Sequence, residues 1–374
     1  FKTAFRNLLT YRVISAINLF GLAVGLTCCL LILAYILNET SYDRFNRKAD
    51  RIYRVTRIFY GPDGNESLNL GSVAPPFGPL LQHDFPDIGD MTRLLNTGTT
   101  ALRYKDRLFN EQAVYFADEH FFDFFSVPVL RGDPKRGLEE PYSVMMTENM
   151  ARKYFGHEDP LNKVISLDGG KSKASFKVTG IFREFPANAH FHPELLISFN
   201  TLKDSTIYGE EALRTNWGNN SFFTYLMFPP DYPVKKIEAQ FPAFIDRHLH
   251  YSNLPGNART SRFTTLTLQK LTDIHLRSHL DSELEENGDI TRVYIFAAIA
   301  LFILLIACIN YMNLSTARSL LRAREIGVRK AIGAQRKEII LQFLSESVII
   351  TCMAMLLALL LTRLLLPYLN QLSG

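Results

Sequence analysis

The stretch that decides the fold is TRVYIFAAIALFILLIACINYMNLSTARSLLRAREIGVRKAIGAQRKEIILQFLSESVIITCMAMLLALLLTRLLLPYLN, residues 291–370. It contains two long apolar runs, 293–314 and 341–367, on either side of a polar segment, 315–340. An apolar run of about 20 residues is long enough to cross the hydrocarbon core of a membrane as a helix. The stretch therefore predicts two transmembrane helices joined by a short loop.

The polar segment between the two runs carries a strong excess of positive charge. Between residues 315 and 338 only Glu325 and Glu338 are acidic, against seven basic residues. The basic residues are Arg318, Arg322, Arg324, Arg329, Lys330, Arg336 and Lys337. Because short loops rich in Lys and Arg stay on the cytoplasmic side, this segment is predicted to face the cytoplasm.

This charge alone would be explained by membrane topology or by contact with anionic lipid. The segment also has internal order, however. Its first half favours a helix, and Gly327 and Gly333 stand where short helices would end. These features favour a structured element that contacts a partner.

The amino-terminal region predicts a third span. Residues 1–12, FKTAFRNLLTYR, are basic, and their apolar residues recur at helical spacing, which is typical of an amphipathic helix on the cytoplasmic membrane surface. The apolar run 13–37 is too long for the core of a signal peptide and lacks a cleavage motif, so it is interpreted as a retained span. Gly21 and Gly25 within it form a G-x-x-x-G pattern that would allow close helix contact.

Residues 38–290 are predicted to form one large domain of α+β class on the outer side of the membrane. Two β-α-β patterns, 51–97 and 221–271, are expected to build one α+β layer, with a β-rich lobe inserted at 98–217. Charged helical stalks are expected to join the domain to the first two spans, and ETSYDRFNRKADRIYRV after the first span is read as one of them.

Several local patterns give sharper predictions within this domain. Apolar spacing predicts an amphipathic helix over 234–249. The segment LRYKDRLFNEQAVYFAD predicts a hairpin with its turn at Lys105 and Asp106, and a second hairpin is expected around 169–170. Thr147 is expected to cap a helix that follows a strand.

The composition limits the function classes. The net charge of +4 comes without a long basic stripe interleaved with aromatic residues, so no nucleic-acid partner is expected. All four cysteines lie in the apolar runs, so the domain is expected to fold without disulfides. No local catalytic signature is found, and neither a metal nor a cofactor is predicted.

Three candidate sites are weighed against structural readings. The sequence GGKS at 169–172 resembles the end of a phosphate-binding loop, but Ile165 replaces the required glycine. His190, His192 and Glu194 suggest a metal pair without a third ligand, so a structural role is favoured. Glu346 and Arg363 lie in the last apolar run, where charged groups are costly, and both functional and positional readings stay open.

Three segments together resemble the MacB/FtsX-like permeases of ABC transporters. They are the amino-terminal region FRNLLTYRVISAINLFGLAVGLTCCLLILAYILNETSYDRF, residues 5–45, the segment VTGIFREFPANAHFHPELLIS, residues 178–198, and NYMNLSTARSLLRAREIGVRKAIGAQRKEIILQFLSESVI, residues 310–349. The last is the most specific, because it is similar to the family's cytoplasmic R-x-x-E-I-G-[IV]-R-K-x-x-G-A signature.

The resemblance implies a permease subunit without ATPase activity of its own. It also implies that the outer domain is periplasmic and consists of a porter-like part, 51–97 and 221–271, and the inserted β-rich lobe, 98–217. The signature positions implied to contact a cytoplasmic ABC ATPase are Arg324, Glu325, Ile326, Gly327, Arg329, Lys330, Gly333 and Ala334. In such a permease, ATP binding draws two permease copies together and moves the periplasmic domains, which drives export of a peptide, a macrolide-like compound or a lipoprotein.

The resemblance also implies location and further partners. The protein is expected in the inner membrane of a bacterium with its amino terminus in the cytoplasm, and a periplasmic adaptor and an outer-membrane channel are partners that the resemblance allows. Such permeases have at least four spans, so a fourth is expected outside this sequence. An alternative is a regulatory membrane protein of FtsX type that activates a periplasmic partner, and a membrane-anchored periplasmic enzyme is a third reading without a motif.

Overall fold

The structure is a computed structural model that describes residues 12–168, 174–251, 258–321, 327–328, 331–333 and 335–373. The contacts divide the chain into two units, Phe1–Thr40 with Ile290–Gly374 and Ser41–Asp289. Residues 1–11 of the predicted amphipathic helix and the predicted turn at 169–170 lie outside the described residues.

The first unit contains three long helices, which are α1 (Arg12–Glu39), α9 (Ile290–Leu321) and α10 (Arg336–Ser373). Segments of all three are long and apolar enough to cross a membrane: Ser15–Glu39, Ile290–Ala317 and Lys337–Tyr368. The helices extend beyond the predicted runs 13–37, 293–314 and 341–367, because polar residues at their ends continue the helical hydrogen bonds. Many large apolar side chains on α9 and α10 are exposed, as lipid-facing residues would be.

Close packing between α1 and α9 depends on Gly25. A Cβ at this position would lie 2.6 Å from the Cβ of Ala307, whereas a Cβ on Gly21 would meet nothing within 4 Å. Leu22, Ala23 and Ala354 are buried in the same cluster as Ala307. Only the second glycine of the predicted G-x-x-x-G pattern is therefore used for helix contact within this unit.

The second unit is built on one 13-stranded sheet. Its strands are β1 (Ile52–Tyr60), β2 (Glu66–Leu70), β3 (Asp90–Asn96), β4 (Thr100–Tyr104), β5 (Arg107–Glu111), β6 (Val114–Ala117), β7 (Val129–Arg131), β8 (Ser143–Thr147), β9 (Val164–Leu167), β10 (Ser175–Phe182), β11 (Leu195–Ser198), β12 (Phe222–Met227) and β13 (Thr264–Lys270). The order is β13-β1-β12-β3-β6-β11-β8-β10-β9-β4-β5, with β2 paired to β1 and β7 to β10.

Short helices connect these strands. They are α2 (Phe77–Asp84), α3 (Phe121–Phe124), α4 (Glu148–Phe155), α5 (Glu210–Thr215), α6 (Lys235–Glu238), α7 (Phe241–His248) and α8 (Ile274–Arg277). The combination of this mixed sheet with three apolar helices confirms the predicted α+β membrane class.

The porter-like part is antiparallel and places β1 at its centre. β1 pairs with β13 on one side and with β12 on the other, and β12 pairs in turn with β3. One face is covered by α2, α6 and α7, whose apolar residues include Phe77, Phe241 and Ile245, all buried. Strands from both ends of the domain thus interleave in one layer, as the two β-α-β patterns predict.

The same sheet continues through the predicted insert, because β3 pairs with β6. Strands β6, β8 and β11 are buried along their whole length, and the pairs β6–β11 and β8–β10 are parallel. Strands buried on both faces have continuous apolar sequences such as VYFA and LLIS. The division into a porter-like part and an inserted lobe stays a prediction.

The predicted helical stalks are wrong. Helix α1 ends at Glu39 and is followed by turns up to Lys48, and residues 278–289 before α9 contain no helix. Asp43 in the first of these segments has φ of +58°, which interrupts any helix there. The charged side chains that suggested stalks instead bind the domain, as described below.

The helix predicted over 234–249 is also wrong as a single element, since α6 and α7 replace it. Pro242 stands in the first turn of α7 and has no N–H group to continue the hydrogen bonds of α6. The hairpin with its turn at Lys105 is confirmed for β4 and β5, but Val114–Ala117 leaves it and joins β3 and β11.

Candidate functional site

The segment that follows the first span, residues 41–51, is held against the domain by buried polar contacts. We call it the first connector, and we call residues 186–192 the anchor loop. Asp43 N donates to Asn188 O at 2.8 Å, and Asn188 Nδ2 donates to Ser41 Oγ at 2.9 Å. The side chains of Asp43 and His190 are both 1 % exposed, with 2.8 Å between Oδ1 and Nδ1. The first connector is therefore tied to the anchor loop through main chain and side chain.

His190 continues this contact into the sheet. Its Nε2 lies 2.8 Å from the hydroxyl of Tyr225 on β12. Burial raises the pKa of Tyr225, so its hydroxyl keeps its proton and can donate to Nε2 while Nδ1–H donates to Asp43. The order Asp43–His190–Tyr225 resembles a proton relay, but the fully buried tyrosine offers no group to a substrate. The arrangement serves to hold elements together.

The segment before the second span, residues 278–289, is the second connector and is tied to the same loop. His192 N donates to Glu285 Oε1 at 2.6 Å, and Nδ1 of His192 lies 2.7 Å from Oε2. The other ring nitrogen lies 3.0 Å from Pro186 O. Because both ring nitrogens face acceptors, this geometry favours the doubly protonated imidazolium.

The pKa shifts of this pair agree with a charged contact. Its hydrogen bond to Glu285 raises the pKa of His192, against the opposing effect of burial. Burial alone would raise the pKa of Glu285, but the hydrogen bonds and charge of His192 outweigh it and lower that pKa. The second connector is thus held to the anchor loop by an ion pair that is half-buried.

The second connector is also bound to the sheet, through a buried arginine. Arg54 on β1 is 0 % exposed. Its guanidinium binds Glu283 through both carboxylate oxygens, at 2.5 and 2.9 Å, and also donates to Ser278 Oγ at 3.0 Å. A two-point Arg–carboxylate contact has a fixed geometry, so Glu283 cannot move independently of β1.

The two connectors meet at one pair of residues in the sheet. Arg54 and Tyr225 are directly opposite each other in the β1–β12 register, so their side chains lie on the same face. Arg54 binds Glu283 of the second connector. Tyr225 binds His190, which in turn binds Asp43 of the first connector. In addition, Tyr42 of the first connector stacks on His275 of α8, with ring centroids 3.3 Å apart. We call this arrangement the anchor.

The predicted ATPase-contact segment is described only in part. Arg324, Glu325, Ile326, Arg329, Lys330 and Ala334 lie outside the described residues. Gly327 and Gly333 are described, and Gly333 has φ of +101°, a conformation that favours glycine at the end of a helical turn.

The neighbouring residues of this segment expose apolar surface. Val328 is 56 % and Ile332 is 81 % exposed, and Ile332 N donates to Val328 O at 3.1 Å in a helical turn. Glu338 Oε2 accepts from Gln335 N at 3.2 Å at the start of α10, as in a capping box.

The two charged residues of the last apolar run differ in environment. Arg363 is exposed, whereas Glu346 is 4 % exposed and lies at a cavity of about 20 Å³, near Asn18 and Tyr311. The cavity has room for about one water molecule. Gln342 Nε2 donates to Glu346 Oε1 at 3.3 Å.

The other two candidate sites lack features that a functional role would require. Residues 169–173 lie outside the described residues, but the chain continues into the strand β10, whereas a phosphate-binding loop requires a helix. His190 and His192 do not share a ligand position, because each ring has its own acidic partner.

Two family models match the chain. One is the MacB-like periplasmic core domain over residues 15–243, and the other is the FtsX-like permease C-terminal region over residues 297–374. The chain belongs to the family of MacB/FtsX-type ABC-transporter permeases. The first model covers more than half of the sequence, and the second covers most of the second span, the basic segment and the third span.

Relatives agree with this family. The ABC transporter permease YvrN of Bacillus subtilis, itself uncharacterised, is 21 % identical over 94 % of this chain and 82 % of its own length. A protein named macrolide export ATP-binding/permease protein MacB, from Neisseria meningitidis, is 24 % identical over 64 % of this chain. The chain matches only 33 % of that MacB.

A solved structure agrees with the fold. A domain described as part of a permease protein of Porphyromonas gingivalis matches with a TM-score of 0.52 and 21 % identity, over 67 % of this chain and 98 % of that chain. The domain fold of this MacB/FtsX-type permease is therefore one already observed in a crystal.

Sequence reasoning missed most of the anchor. The sequence pattern favoured a structural role for His190 and His192 without identifying their partners, and it did not single out Tyr225. One signal was available: Arg54 stands between apolar and β-branched residues in a strand, and a buried arginine requires an acidic partner.

Proposed function

We propose that this permease couples ATP binding and hydrolysis by a separate ABC ATPase to movement of its periplasmic domain. Movement enters at the coupling segment 315–340, which includes Arg324, Glu325 and Gly327. It passes along the spans and reaches the domain through the two connectors. The chain itself hydrolyses no ATP in this scheme.

The observation that carries the proposal is the meeting of both connectors at Arg54 and Tyr225. If the connectors were flexible linkers, they would absorb a shift of the spans and the domain would not move with it. Both are instead joined to adjacent strands by buried hydrogen bonds and an ion pair. Such a junction supports rigid-body movement of the domain when a span shifts.

Charge supports the proposed orientation. The acidic residues of 281–289 precede α9, and the basic residues of 318–337 follow its apolar core. This asymmetry favours a cytoplasmic coupling segment and amino terminus, and a periplasmic domain, in the inner membrane of a bacterium.

Export or efflux is the proposed outcome of this movement, by a pair of permease copies acting with the ATPase. The cargo class is a peptide, a macrolide-like compound or a lipoprotein. A periplasmic adaptor and an outer-membrane channel belong to the same proposal. The spans of one copy are too apolar to line a polar channel, which supports transport driven by the periplasmic domain.

The proposed ATPase contact is tested by recovery of a partner. The tagged full-length permease is purified from its native membranes, and ABC ATPase subunits are quantified by mass spectrometry. Replacement of Arg324→Ala together with Glu325→Ala is expected to lower ATPase recovery at least 10-fold. The matched control is Arg214→Ala with Glu210→Ala, an exposed ion pair on α5, and it should leave recovery unchanged.

Equal ATPase recovery with the Arg324/Glu325 variant would contradict the proposed contact. A regulatory role would show itself differently. The recovered complex would then activate a periplasmic hydrolase in an ATP-dependent manner and would move no cargo in a vesicle assay.

A further inference from the structure

Three side chains that the anchor does not use converge at the start of β3. They are Asp90, the first residue of the strand, and His120 and Asp123 at the amino-terminal end of α3. His120 Nδ1 lies 3.9 Å from Asp90 Oδ2 and 3.6 Å from Asp123 Oδ2. One oxygen or nitrogen from each residue lies within 4.8 Å of the others. The three groups therefore face one common point.

The spacing is close to that of a metal site. Tetrahedral ligands at about 2.1 Å from Zn²⁺ lie about 3.4 Å apart. The two distances from Nδ1 exceed this by a few tenths of an ångström, which small rotations of the side chains would close. His120 and Asp123 are exposed and Asp90 is partly exposed, so water can fill the remaining position.

The neighbouring groups have the arrangement of an outer coordination shell. Glu119 Oε1 lies 3.5 Å from His120 Nε2, the ring nitrogen that points away from the two aspartates. A proton on Nε2 that faces this carboxylate leaves the lone pair of Nδ1 free for a metal. Asp90 Oδ1 accepts from Met91 N at 2.8 Å, which orients the other oxygen toward the site.

The charges around the site also favour a cation. Three carboxylates, those of Asp90, Asp123 and Glu119, lie within 3.9 Å of the ring nitrogens of His120. Lys48 Nζ donates to the main-chain oxygen of Asp123 at 3.1 Å and not to its carboxylate.

A second His–Asp group in the domain provides a contrast. Asp84 lies against both His83 and His248, but Arg247 Nη1 donates to the same carboxylate oxygen that His248 contacts, at 2.7 Å. A guanidinium already supplies the positive charge there. Asp90, His120 and Asp123 have no arginine among their described partners, so the two groups make a matched comparison.

We propose that Asp90, His120 and Asp123 bind a divalent transition-metal ion of the Zn²⁺ class. One imidazole and two carboxylates suit Zn²⁺ better than Mg²⁺ or Ca²⁺, which prefer oxygen ligands alone. The main chain of Asp123 is bonded to Lys48 of the first connector, so the ion would lie beside the segment that leaves the first span. The site does not depend on the proposed transport activity.

Zinc binding is tested on the tag-free full chain, purified in detergent and freed of metal, by competition with a chromophoric chelator. The wild type is expected to bind one Zn²⁺ per chain. His120→Gln and Asp123→Asn should each weaken binding at least 10-fold. Glu119→Gln should weaken it about 10-fold through the outer shell. His83→Gln, a change of the same type at the contrasting group, should have no effect.

A second readout separates binding from folding. Co²⁺ bound in place of Zn²⁺ is expected to give the visible absorption band that is typical of a Co²⁺ ion with a low coordination number. This band should disappear in His120→Gln. The fluorescence of Trp217, the only tryptophan, checks that each variant is folded. The site would be overturned if the folded wild type did not bind one Zn²⁺ per chain. It would also be overturned if His120→Gln and Asp123→Asn bound Zn²⁺ as tightly as the wild type does.

Discussion

Arg54 and Tyr225 show how single buried polar residues can join distant parts of the chain. Both are fully buried. Arg54 binds Glu283 of the second connector, and Tyr225 binds His190 of the anchor loop, which in turn binds Asp43 of the first connector. Buried polar groups are costly when a partner is removed, because the remaining group has lost its water. Their contribution therefore appears most clearly in variants that delete one partner without changing the shape of the site.

Tyr225→Phe is such a variant, because it removes only the hydroxyl and leaves Nε2 of His190 without this partner. We expect a loss of about 1–3 kcal/mol in the free energy of unfolding of the domain. Urea unfolding followed by Trp217 fluorescence measures it. The control is Tyr232→Phe, which removes an exposed hydrogen bond to Asp87 and should cost less than about 0.5 kcal/mol. Similar losses in both variants would argue against the anchor.

The ion pair between His192 and Glu285 predicts how stability depends on pH. The pKa of His192 is raised above its ordinary value of 6.5, so the folded domain holds this proton more tightly than the unfolded chain. The stabilisation is therefore complete below pH 6.5 and is lost as the pH rises through the raised pKa. Glu285 has a lowered pKa, so its share is present above pH 4.5 and is lost in acid.

We expect the unfolding free energy of the wild type to fall, relative to that of His192→Gln, as the pH rises above 6.5. Urea unfolding at a series of pH values from 5 to 9 measures this difference. Other groups near the ring are Asp43, whose charge also favours protonation, and the carbonyl of Pro186. Parallel pH curves for the two proteins would show that His192 does not carry the predicted charge.

At the scale of elements, helix α4 follows the sequence most closely. Thr147 was expected to cap it, and its hydroxyl accepts from Met150 N at 3.3 Å, which confirms the prediction. A cap of this kind is local, since donor and acceptor lie three residues apart. The same is true of the turn at Lys105, where φ is +52°. Such features depend on neighbouring residues alone and can be predicted from them.

The cap gives a prediction for α4. Thr147→Val keeps the shape of the side chain but removes the hydroxyl, so the unfolding free energy should fall by about 1 kcal/mol. Thr147→Ser keeps the hydroxyl and should recover most of this loss. The measurement is again urea unfolding with Trp217 as the probe. A larger loss in Thr147→Ser than in Thr147→Val would mean that the methyl group matters more than the cap.

The connectors mark where prediction from sequence failed at this scale. Their charge and spacing were typical of solvated helices. In the structure, however, Asp43 is bound by His190, which is 147 positions away in the sequence, and Glu283 is bound by Arg54, which is 229 positions away. No local pattern reports such contacts. The continuous apolar strands β6, β8 and β11 are the opposite case, because burial on both faces leaves a mark in the sequence itself.

At the scale of the whole molecule, the sequence predicted three spans and one α+β domain because each has a compositional signature. It could not predict that a single sheet runs through the porter-like part and the insert, since the β3–β6 pairing joins strands that the sequence assigned to different parts. The candidate coupling segment rests on the signature from Arg324 to Ala334 and stays a prediction.

The central claim is that the coupling segment 315–340 receives movement from an ATPase on the cytoplasmic side and that the domain on the opposite side of the membrane moves as a result. The most direct test replaces the four native cysteines and introduces Leu108→Cys in the domain or Ile332→Cys beside the coupling segment, both at exposed positions. Cells with a permeabilised outer membrane are then treated with a membrane-impermeant maleimide. We predict labelling of position 108 in these cells and of position 332 only after the inner membrane is opened. Labelling of both positions before that step would contradict the account.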